Sequence, residues 1–434
     1  MNTQPQLNNK KVINAWALFD WANSAYALVI TTAIFPAYFI GVTDPIIHFG
    51  GFQTTNSSLY AYSISLSYII IALASPALSG IADSSGRKKL FLKFFTSIGA
   101  SACILLFFFK GMQELYLGSG MFILATIGFS GGLVFYNSYL PEIATEDQYD
   151  KVSAKGFAYG YIGSVLLLLI NLTVILKPEL FGISDKSLPP RIAFVMVGMW
   201  WIGFSQITFK YLPRDKKHPT QKGFISKGFK EISKVWGELQ SQPNIKRFLM
   251  AFFFYSAGVQ TVLYMASTFA QKELHFPTSE LILIIIILQI VAIGGAYLFA
   301  KISSMKGNKF SIKTMLFIWI VICVGAYGIH NKLEFYFIAV GVGTVMGGIQ
   351  SLSRSTYSKL LPEDLHDTAS YFSFYDVLEK SAIVIGTFSF GFIENLTGGM
   401  RNSVLALTFF FIVGLLLITR VKMKHIKVVV SEEL

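Results

Sequence analysis

Residues 16 to 39 read WALFDWANSAYALVITTAIFPAYF, a stretch long and apolar enough to cross a membrane. A hydrocarbon core about 30 Å thick requires roughly 20 mostly apolar residues per helix. The rest of the chain has the same character, because 53% of its 434 residues are hydrophobic, 14% are charged and the mean hydropathy is +0.56. A soluble chain of this length could not bury so much apolar surface. The sequence therefore predicts an all-α integral membrane protein.

Further runs of this kind predict twelve transmembrane helices in all. They lie near residues 12–40, 58–82, 90–110, 116–140, 155–176, 192–212, 246–270, 279–300, 313–330, 334–357, 370–393 and 402–420. The longest polar stretch separates the sixth run from the seventh. We therefore predict two six-helix bundles, at residues 1–212 and at 246–434 with a tail, joined by a basic linker at 213–245.

Lysine and arginine are distributed unevenly between the loops, and loops rich in these residues stay in the cytoplasm. Of the 36, 28 lie on the side of the two termini and seven on the opposite side, while Lys380 lies inside a predicted span. Both termini are therefore predicted to be cytoplasmic, in a multi-pass protein of the inner (cytoplasmic) membrane. The net charge of +12 follows from this topology and from attraction to anionic membrane lipids, and it does not indicate nucleic-acid binding.

The linker includes the sequence PRDKKHPTQKGFISKGFKEISKVWGELQ at residues 213–240. Its second part places apolar residues among lysines, a pattern typical of an amphipathic helix on the membrane face. These apolar residues are Phe224, Phe229, Ile232, Val235, Trp236 and Leu239. Two interpretations follow, a latch between two halves of the protein and a simple positively charged linker.

Two short motifs recur at a separation of 221 residues. SSGRKKL after the second span corresponds to MKGNKFS after the eighth, and YLPEI after the fourth corresponds to LLPED after the tenth. Two independent matches in one register predict a six-helix unit that is used twice. Repeats of this kind build transporters whose central site opens alternately to either side of the membrane.

The motif GIADSSGRKK, residues 80 to 89, resembles the loop between helices two and three of the major facilitator superfamily. The resemblance implies the major facilitator fold, with two pseudo-symmetric six-helix bundles. It also implies a cytoplasmic gate, whose candidate residues are Asp83, Gly86, Arg87, Lys88 and, from the repeated motif, Glu142 and Glu363. The chain departs from the usual pattern at Ser79 and Ser84, where glycine and arginine are common.

Four longer motifs narrow the resemblance to one group of facilitators, the autophagy-linked vacuolar amino-acid effluxers and their bacterial relatives. The motifs are WALFDWANSAYALVITTAIFPAYF, FYNSYLPEIA, GGIQSLSRSTYSKLLPE and FSFYDVLEKSAIVIG. This chain has Ser256 and Ala257 where the group often has an Asn-Asp pair. It has Leu378 and Glu379 where small residues are common, so Glu379 is an additional acid.

The resemblance implies a secondary active transporter of small solutes, with amino acids or similar zwitterions as substrates. It further implies alternating access, proton coupling, export and a monomer. Two alternatives stay open at this stage: a transporter of lipid or amphipathic compounds, and a non-transporting membrane receptor or scaffold.

Asp20 lies in the first span, where an ionisable group persists only if it is paired, solvated or used. One interpretation is an interfacial acid bonded to a lysine or to a neighbouring helix end. The other places Asp20, Asn23 and Tyr26 roughly on one helix face, lining a cavity where they contact a substrate amine or take a proton. Tyr136 and Asn137, in the fourth span, are further candidates.

The eleventh span carries Asp376, Glu379 and Lys380. Asp376 and Lys380 are four residues apart, so they share a helical face and can neutralise each other. A functional interpretation is that protonation of one acid frees Lys380 for a substrate carboxylate, which couples transport to protons. Tyr375 neighbours these residues and is also a candidate.

Arg354 lies near the end of the tenth span and has two interpretations. Its side chain either extends to the membrane interface, paired with a loop acid such as Glu363, or reaches inward to a carboxylate. Gln260 and Gln350 are polar residues in apolar spans, suited either to interhelical hydrogen bonds or to substrate contact.

Enzymatic chemistry has little support in the sequence. The six histidines lack metal-ligand spacing, Cys103 and Cys323 lie in different spans, and no phosphate-binding glycine-rich loop is present. We therefore predict no cofactor, no metal site and no catalytic residue, with transport driven by a gradient.

Overall fold

A computed structural model describes residues 7–49, 52–185, 187–215, 224–276, 278–362, 367–397 and 399–423. Within these ranges the chain is almost entirely helical. The α-helices are α1 Lys10–Ala25, α2 Phe35–Val42, α3 Asn56–Ser85, α4 Lys88–Leu105, α5 Leu115–Ser138, α6 Leu140–Ile143, α7 Tyr149–Leu176, α8 Leu188–Tyr211, α9 Phe224–Ser241, α10 Pro243–Leu274, α11 Thr278–Lys306, α12 Asn308–Gly328, α13 Lys332–Leu360, α14 Thr368–Thr397 and α15 Met400–Thr419. Each of the twelve predicted spans corresponds to a helix or helical segment, so the predicted all-α membrane class is confirmed.

Eleven helical segments of the described chain are long and apolar enough to cross a membrane. The remaining predicted span is α14, which is 30 residues long and contains Asp376, Glu379 and Lys380. A membrane helix that retains three charged residues near its middle needs partners for them inside the protein, because charge is costly in hydrocarbon. The polar residues that surround α14 are therefore the first place to look for function.

Two features of the first span and its following loop were not predicted. Tyr26–Ile34 forms a π-helix between α1 and α2, with the Phe35 N–H bonded to the carbonyl of Ile30. Long π-helical segments are rare, and short ones often lie at functional sites. The strands β1 Ile46–Phe49 and β2 Phe52–Thr55 then form an antiparallel hairpin, with Ile46 opposite Thr55.

The chain forms two compact units. One comprises residues 10–139 and 159–232, and the other comprises residues 1–9, 140–158 and 233–434. The segment 140–158, which holds α6 and the start of α7, thus packs with helices from the second part of the sequence.

Small residues allow close helix packing inside the second unit. A Cβ added at Gly347 of α13 or at Gly295 of α11 would overlap backbone atoms of the facing helix, at Ala292 and Thr344 respectively. Backbone contact of this kind is a common basis of helix association in membranes, where the hydrophobic effect does not drive it.

Helix α9 lies in the predicted linker. Its last two turns pack within the unit that comprises residues 1–9, 140–158 and 233–434. Val235 and Leu239 are buried, and Trp236 stacks on Phe374 of α14 with ring centroids 5.6 Å apart. The linker helix therefore contacts the start of the charged helix α14.

Candidate functional site

Lys380 lies between two carboxylates on α14. Its Nζ is 3.2 Å from Asp376 Oδ1 and 3.3 Å from Glu379 Oε2. The pairing of Asp376 with Lys380 that the spacing predicted is therefore present. These side chains are the ninth to thirteenth residues of α14, about 12 to 18 Å from the start of the helix at a rise of 1.5 Å per residue. The cluster thus lies in the interior of α14, away from both ends of the helix.

Helix α10 supplies a fourth member of this cluster. Gln260 Nε2 donates a hydrogen bond of 3.1 Å to Glu379 Oε1. The two helices approach closely because α14 has Gly386, where an added Cβ would lie 2.5 Å from the carbonyl oxygen of Ala257. Gln260 therefore orients Glu379, and its predicted role as a polar contact between helices is present in the structure.

One oxygen of the cluster has no partner. Asp376 is 3% exposed, and its Oδ2 accepts no hydrogen bond. An unpaired buried acceptor costs about 1–3 kcal/mol, more when it is charged. The α14 cluster, defined as Asp376, Glu379, Lys380 and Gln260, therefore keeps one acceptor that no donor satisfies.

Tyr375 is packed among aromatic rings beside this cluster. Its ring stacks on Phe252 at 4.1 Å and on Tyr357 at 5.2 Å between centroids. The neighbouring Tyr255 hydroxyl is within 2.8 Å of Ser353 Oγ. Because Tyr375 is buried and stacked between two rings, it forms a wall beside the cluster rather than an open binding group.

Arg354 is buried in the helix bundle. It is 2% exposed and donates from Nε to Ser153 Oγ at 2.9 Å and from Nη2 to the Ser153 carbonyl at 2.8 Å. Its guanidinium also lies over the ring of Phe157, 4.3 Å from the centroid. This burial does not fit a side chain extended to the membrane interface, while the predicted partner Glu363 lies outside the described residues.

Asp20 is buried in the other unit, at the centre of an aromatic contact between α1 and α5. The hydroxyl of Tyr136 donates a hydrogen bond of 2.8 Å to Asp20 Oδ2. Trp16 stacks on Tyr136 at 4.5 Å and donates from Nε1 to its carbonyl. Asp20 is thus held by Tyr136 inside its unit, and its bonding to a lysine or to a neighbouring helix end stays a prediction.

Asn23 lies one helical turn beyond Asp20 and is 0% exposed. Neither its Oδ1 nor its Nδ2 has a hydrogen-bond partner. A buried amide without partners is unusual and calls for an explanation such as a ligand. Tyr26, the third residue predicted on this face, is also buried and bonds to Thr126 Oγ1 at 2.7 Å. Tyr26 therefore serves packing between the π-helix and α5.

Asn137 and Gln350 are half-buried on α5 and α13. Both take part in interactions within the protein.

The candidate gate residues lie at the ends of helices. Lys88 and Asp83 form an ion pair of 3.3 Å, and Gly86 turns the chain between α3 and α4 with φ +66°. This positive φ explains the glycine. Arg87 immediately precedes α4.

Glu142 accepts a hydrogen bond of 3.0 Å from Thr368 at the start of α14. Glu363 lies outside the described residues.

A buried polar network around Asp150 was missed by the sequence analysis. Asp150 Oδ2 accepts from Lys359 Nζ and from Ser303 Oγ, each at 2.8 Å, and Asp150 Oδ1 accepts from Asn308 Nδ2 at 2.7 Å. Asn308 also bonds to Thr356 and Lys359. The only available signal was that Asn308 and Lys359 lie inside two of the quoted motifs, MKGNKFS and GGIQSLSRSTYSKLLPE.

In the part of the chain that the structure describes, no group of three or more His, Cys, Asp and Glu residues could hold a metal ion. The two cysteines are both free and buried.

Comparison with known proteins agrees with this picture. The sequence profile of the family described as "Vacuole effluxer Atg22 like" matches residues 8–429. The uncharacterized MFS-type transporter YxiO of Bacillus subtilis (strain 168) is 32% identical over 93% of both chains. Autophagy-related protein 22 of Yarrowia lipolytica (strain CLIB 122 / E 150) is 25% identical over 86% of this chain and 76% of its own.

A solved structure supports the fold independently. The human organic anion transporter MFSD10 (TETRAN) superimposes with a TM-score of 0.73 over 95% of this chain and 100% of its own, at 11% identity. At that identity the likeness shows the fold alone. Together these findings confirm the predicted major facilitator fold and a multi-pass membrane transporter of small molecules rather than an enzyme. This protein therefore belongs to the vacuole effluxer Atg22-like family within the major facilitator superfamily.

Proposed function

We propose that this protein is a secondary active transporter that moves amino acids or similar small zwitterions by alternating access. We further propose that transport is coupled to protons and runs in the export direction. The description of the matching family as vacuole effluxers supports export. The charged cluster inside α14 favours a polar substrate over a lipid or amphipathic compound, because such charges are costly beside apolar cargo.

The observation that carries this proposal is the position of Lys380 between two acids in a membrane helix. A zwitterion has a carboxylate that suits Lys380 and an ammonium that suits either acid. Asp376 would hold either a proton or the ammonium group of the substrate, so that protonation of Asp376 favours substrate release. Loss of that proton would restore the carboxylate for the next substrate, which couples the two fluxes in opposite directions, as proton-driven export requires.

The remaining assignments complete the proposal. Both termini lie in the cytoplasm, the membrane is the inner membrane of a bacterium, and the working unit is a monomer. The functional halves are residues 1–212 and 246–434, with 213–245 as their linker. Asp83, Gly86, Arg87, Lys88, Glu142 and Glu363 belong to the cytoplasmic gate.

Counterflow into proteoliposomes tests the proposed function. Wild-type protein is loaded with unlabelled amino acids and assayed for uptake of a pooled, labelled amino-acid mixture, beside Asp376→Asn and Lys380→Ala. Glu394→Gln is the matched control, because Glu394 is an α14 acid paired with Lys272 in a half-exposed ion pair.

We expect uptake by the wild type and the control and its loss in both cluster variants. No uptake by folded wild-type protein, with an acid-inside gradient also tried, would exclude amino acids as substrates. Equal uptake by all four proteins would show that the cluster is structural.

A further inference from the structure

We propose that the α14 cluster selects amino acids that carry an additional positive charge, so that the substrates are basic amino acids. This inference rests on the proposed function and specifies the substrate class at the same site. It follows from the balance of charges in the cluster, from its open acceptor and from the one acid that is accessible.

The α14 cluster contains two acids and one base. Lys380 contacts both Asp376 and Glu379, and the side chain of Gln260 is neutral. With both acids ionised the cluster carries one net negative charge. A basic amino acid has one carboxylate and two cationic groups, which is the opposite set of charges. A neutral amino acid would leave one carboxylate without a partner unless a proton is also bound.

The open acceptor shows where an additional donor fits. Asp376 Oδ2 is buried and unbonded, whereas both oxygens of Glu379 already accept hydrogen bonds. An ammonium donor would satisfy Asp376 Oδ2 with a charge-assisted hydrogen bond, which is about twice as strong as a neutral one.

Glu379 is the accessible member of the cluster. Its side chain is 24% exposed, compared with 5% for Asp376 and 6% for Lys380. A cationic side chain of a substrate can therefore reach Glu379, while the buried Asp376 takes the α-ammonium group.

Among the described residues, the other ionisable groups that interact with the cluster do not balance its charge. Tyr255 and Tyr264 of α10 and Tyr375 of α14 interact electrostatically with the cluster, and a phenol supplies no positive charge. Arg354 of α13 also acts on Tyr375, but its guanidinium donates to Ser153 and lies over Phe157.

The test measures counterflow of three labelled amino acids separately: lysine, leucine and glutamate. The wild type is compared with Glu379→Gln, which removes the surplus charge and keeps the shape, and with the control Glu394→Gln. We expect the wild type to prefer lysine over leucine by about tenfold in apparent affinity, and Glu379→Gln to lose that preference while still carrying leucine. A tenfold change corresponds to about 1.4 kcal/mol.

Each result separates the two proposals. Leucine transport without a lysine preference, or equal losses of lysine and leucine transport in Glu379→Gln, would overturn the inference and leave the proposed function intact. No counterflow of any amino acid would instead reject the proposed function. The Glu394→Gln control reports misfolding, because it removes an acid of the same helix outside the cluster.

Discussion

The hydroxyl of Tyr371 donates a hydrogen bond of 2.6 Å to Glu238 Oε2, which joins the linker helix α9 to the first turn of α14. Tyr371 is buried and lies five residues before Asp376 on the same helix. The linker helix therefore reaches the helix that carries the α14 cluster.

A double-mutant cycle measures this contact. We expect Tyr371→Phe and Glu238→Gln to be coupled by about 1.5 kcal/mol in the free energy of unfolding, because a hydrogen bond to a charged acceptor contributes about 1.5–3 kcal/mol. Thermal unfolding in detergent provides the readout. Lys272→Ala is the control, since the Lys272 side chain is 60% exposed in its ion pair with Glu394; its effect should stay below about 1 kcal/mol. Additive effects of the two main variants would show that α9 does not hold α14 through this bond.

The Asp150 network is expected to contribute strongly to stability. Asp150 and Lys359 form a nearly buried ion pair of 2.8 Å. Removing one partner leaves a buried charge unpaired, so Asp150→Asn and Lys359→Met should each cost about 3–5 kcal/mol. The double variant should cost less than the sum, because no charge is stranded. The half-exposed pair Lys332 and Glu280 is the control, and Lys332→Met should have little effect. Similar losses at both pairs would contradict a special role for Asp150.

The twelve spans could be predicted because the thickness of the hydrocarbon core sets a minimum length for an apolar helix. The Asp376–Lys380 pair could be predicted because residues four apart share a helix face. The Asp150 network could not, since its members are separated by up to 209 residues and meet only through packing. The π-helix at Tyr26–Ile34 also escaped prediction. Its apolar sequence fits an α-helix equally well, and only the hydrogen-bond register distinguishes the two.

Two adjacent glycines of α11 should respond differently to alanine. A Cβ at Gly295 would overlap the Thr344 backbone, whereas a Cβ at Gly294 meets nothing within 4 Å. Gly295→Ala should therefore destabilise the protein by about 1–3 kcal/mol, because the backbone of α13 must move. Gly294→Ala should be neutral or stabilising by up to about 1 kcal/mol, because alanine favours helix. Thermal unfolding of both variants decides the matter, and equal effects would argue against the close packing of α11 on α13.

Asp215, which follows α8, should make stability depend on pH. Burial raises the pKa of its carboxyl, although that group accepts hydrogen bonds from the backbone N–H groups of Lys89 and Leu90 at 2.8 and 3.2 Å. The folded protein then binds the proton of Asp215 more tightly than the unfolded chain does. The stability gained from this proton is therefore present below the ordinary pKa of about 3.9 and is lost as pH rises through the raised pKa of the folded protein. The stability of wild type relative to Asp215→Asn should accordingly fall with rising pH.

Asp185 provides a control of opposite sign. The backbone N–H of Ser187, at 2.8 Å, lowers the pKa of Asp185. The stability of wild type relative to Asp185→Asn should therefore rise as pH increases from the lowered pKa of the folded protein to the ordinary pKa of an aspartate. Melting temperatures of the three proteins in detergent across the acidic range provide the comparison. Parallel curves for both variants would rule out the assigned shifts.

Replacing Asn23 with leucine distinguishes a role of this residue in transport from a role in the fold. Its amide is buried without a partner, so Asn23→Leu should leave thermal stability unchanged or raise it by about 1–3 kcal/mol, since an unsatisfied polar group is removed. If the amide binds substrate, the same variant should lose counterflow.

Asn171 of α7 is the matched control, because both polar atoms of its buried side chain also lack partners. Asn171→Leu should show the same stability effect with normal transport. Retained transport in Asn23→Leu would remove Asn23 from the candidate site, and a large loss of stability would show that its amide supports the fold.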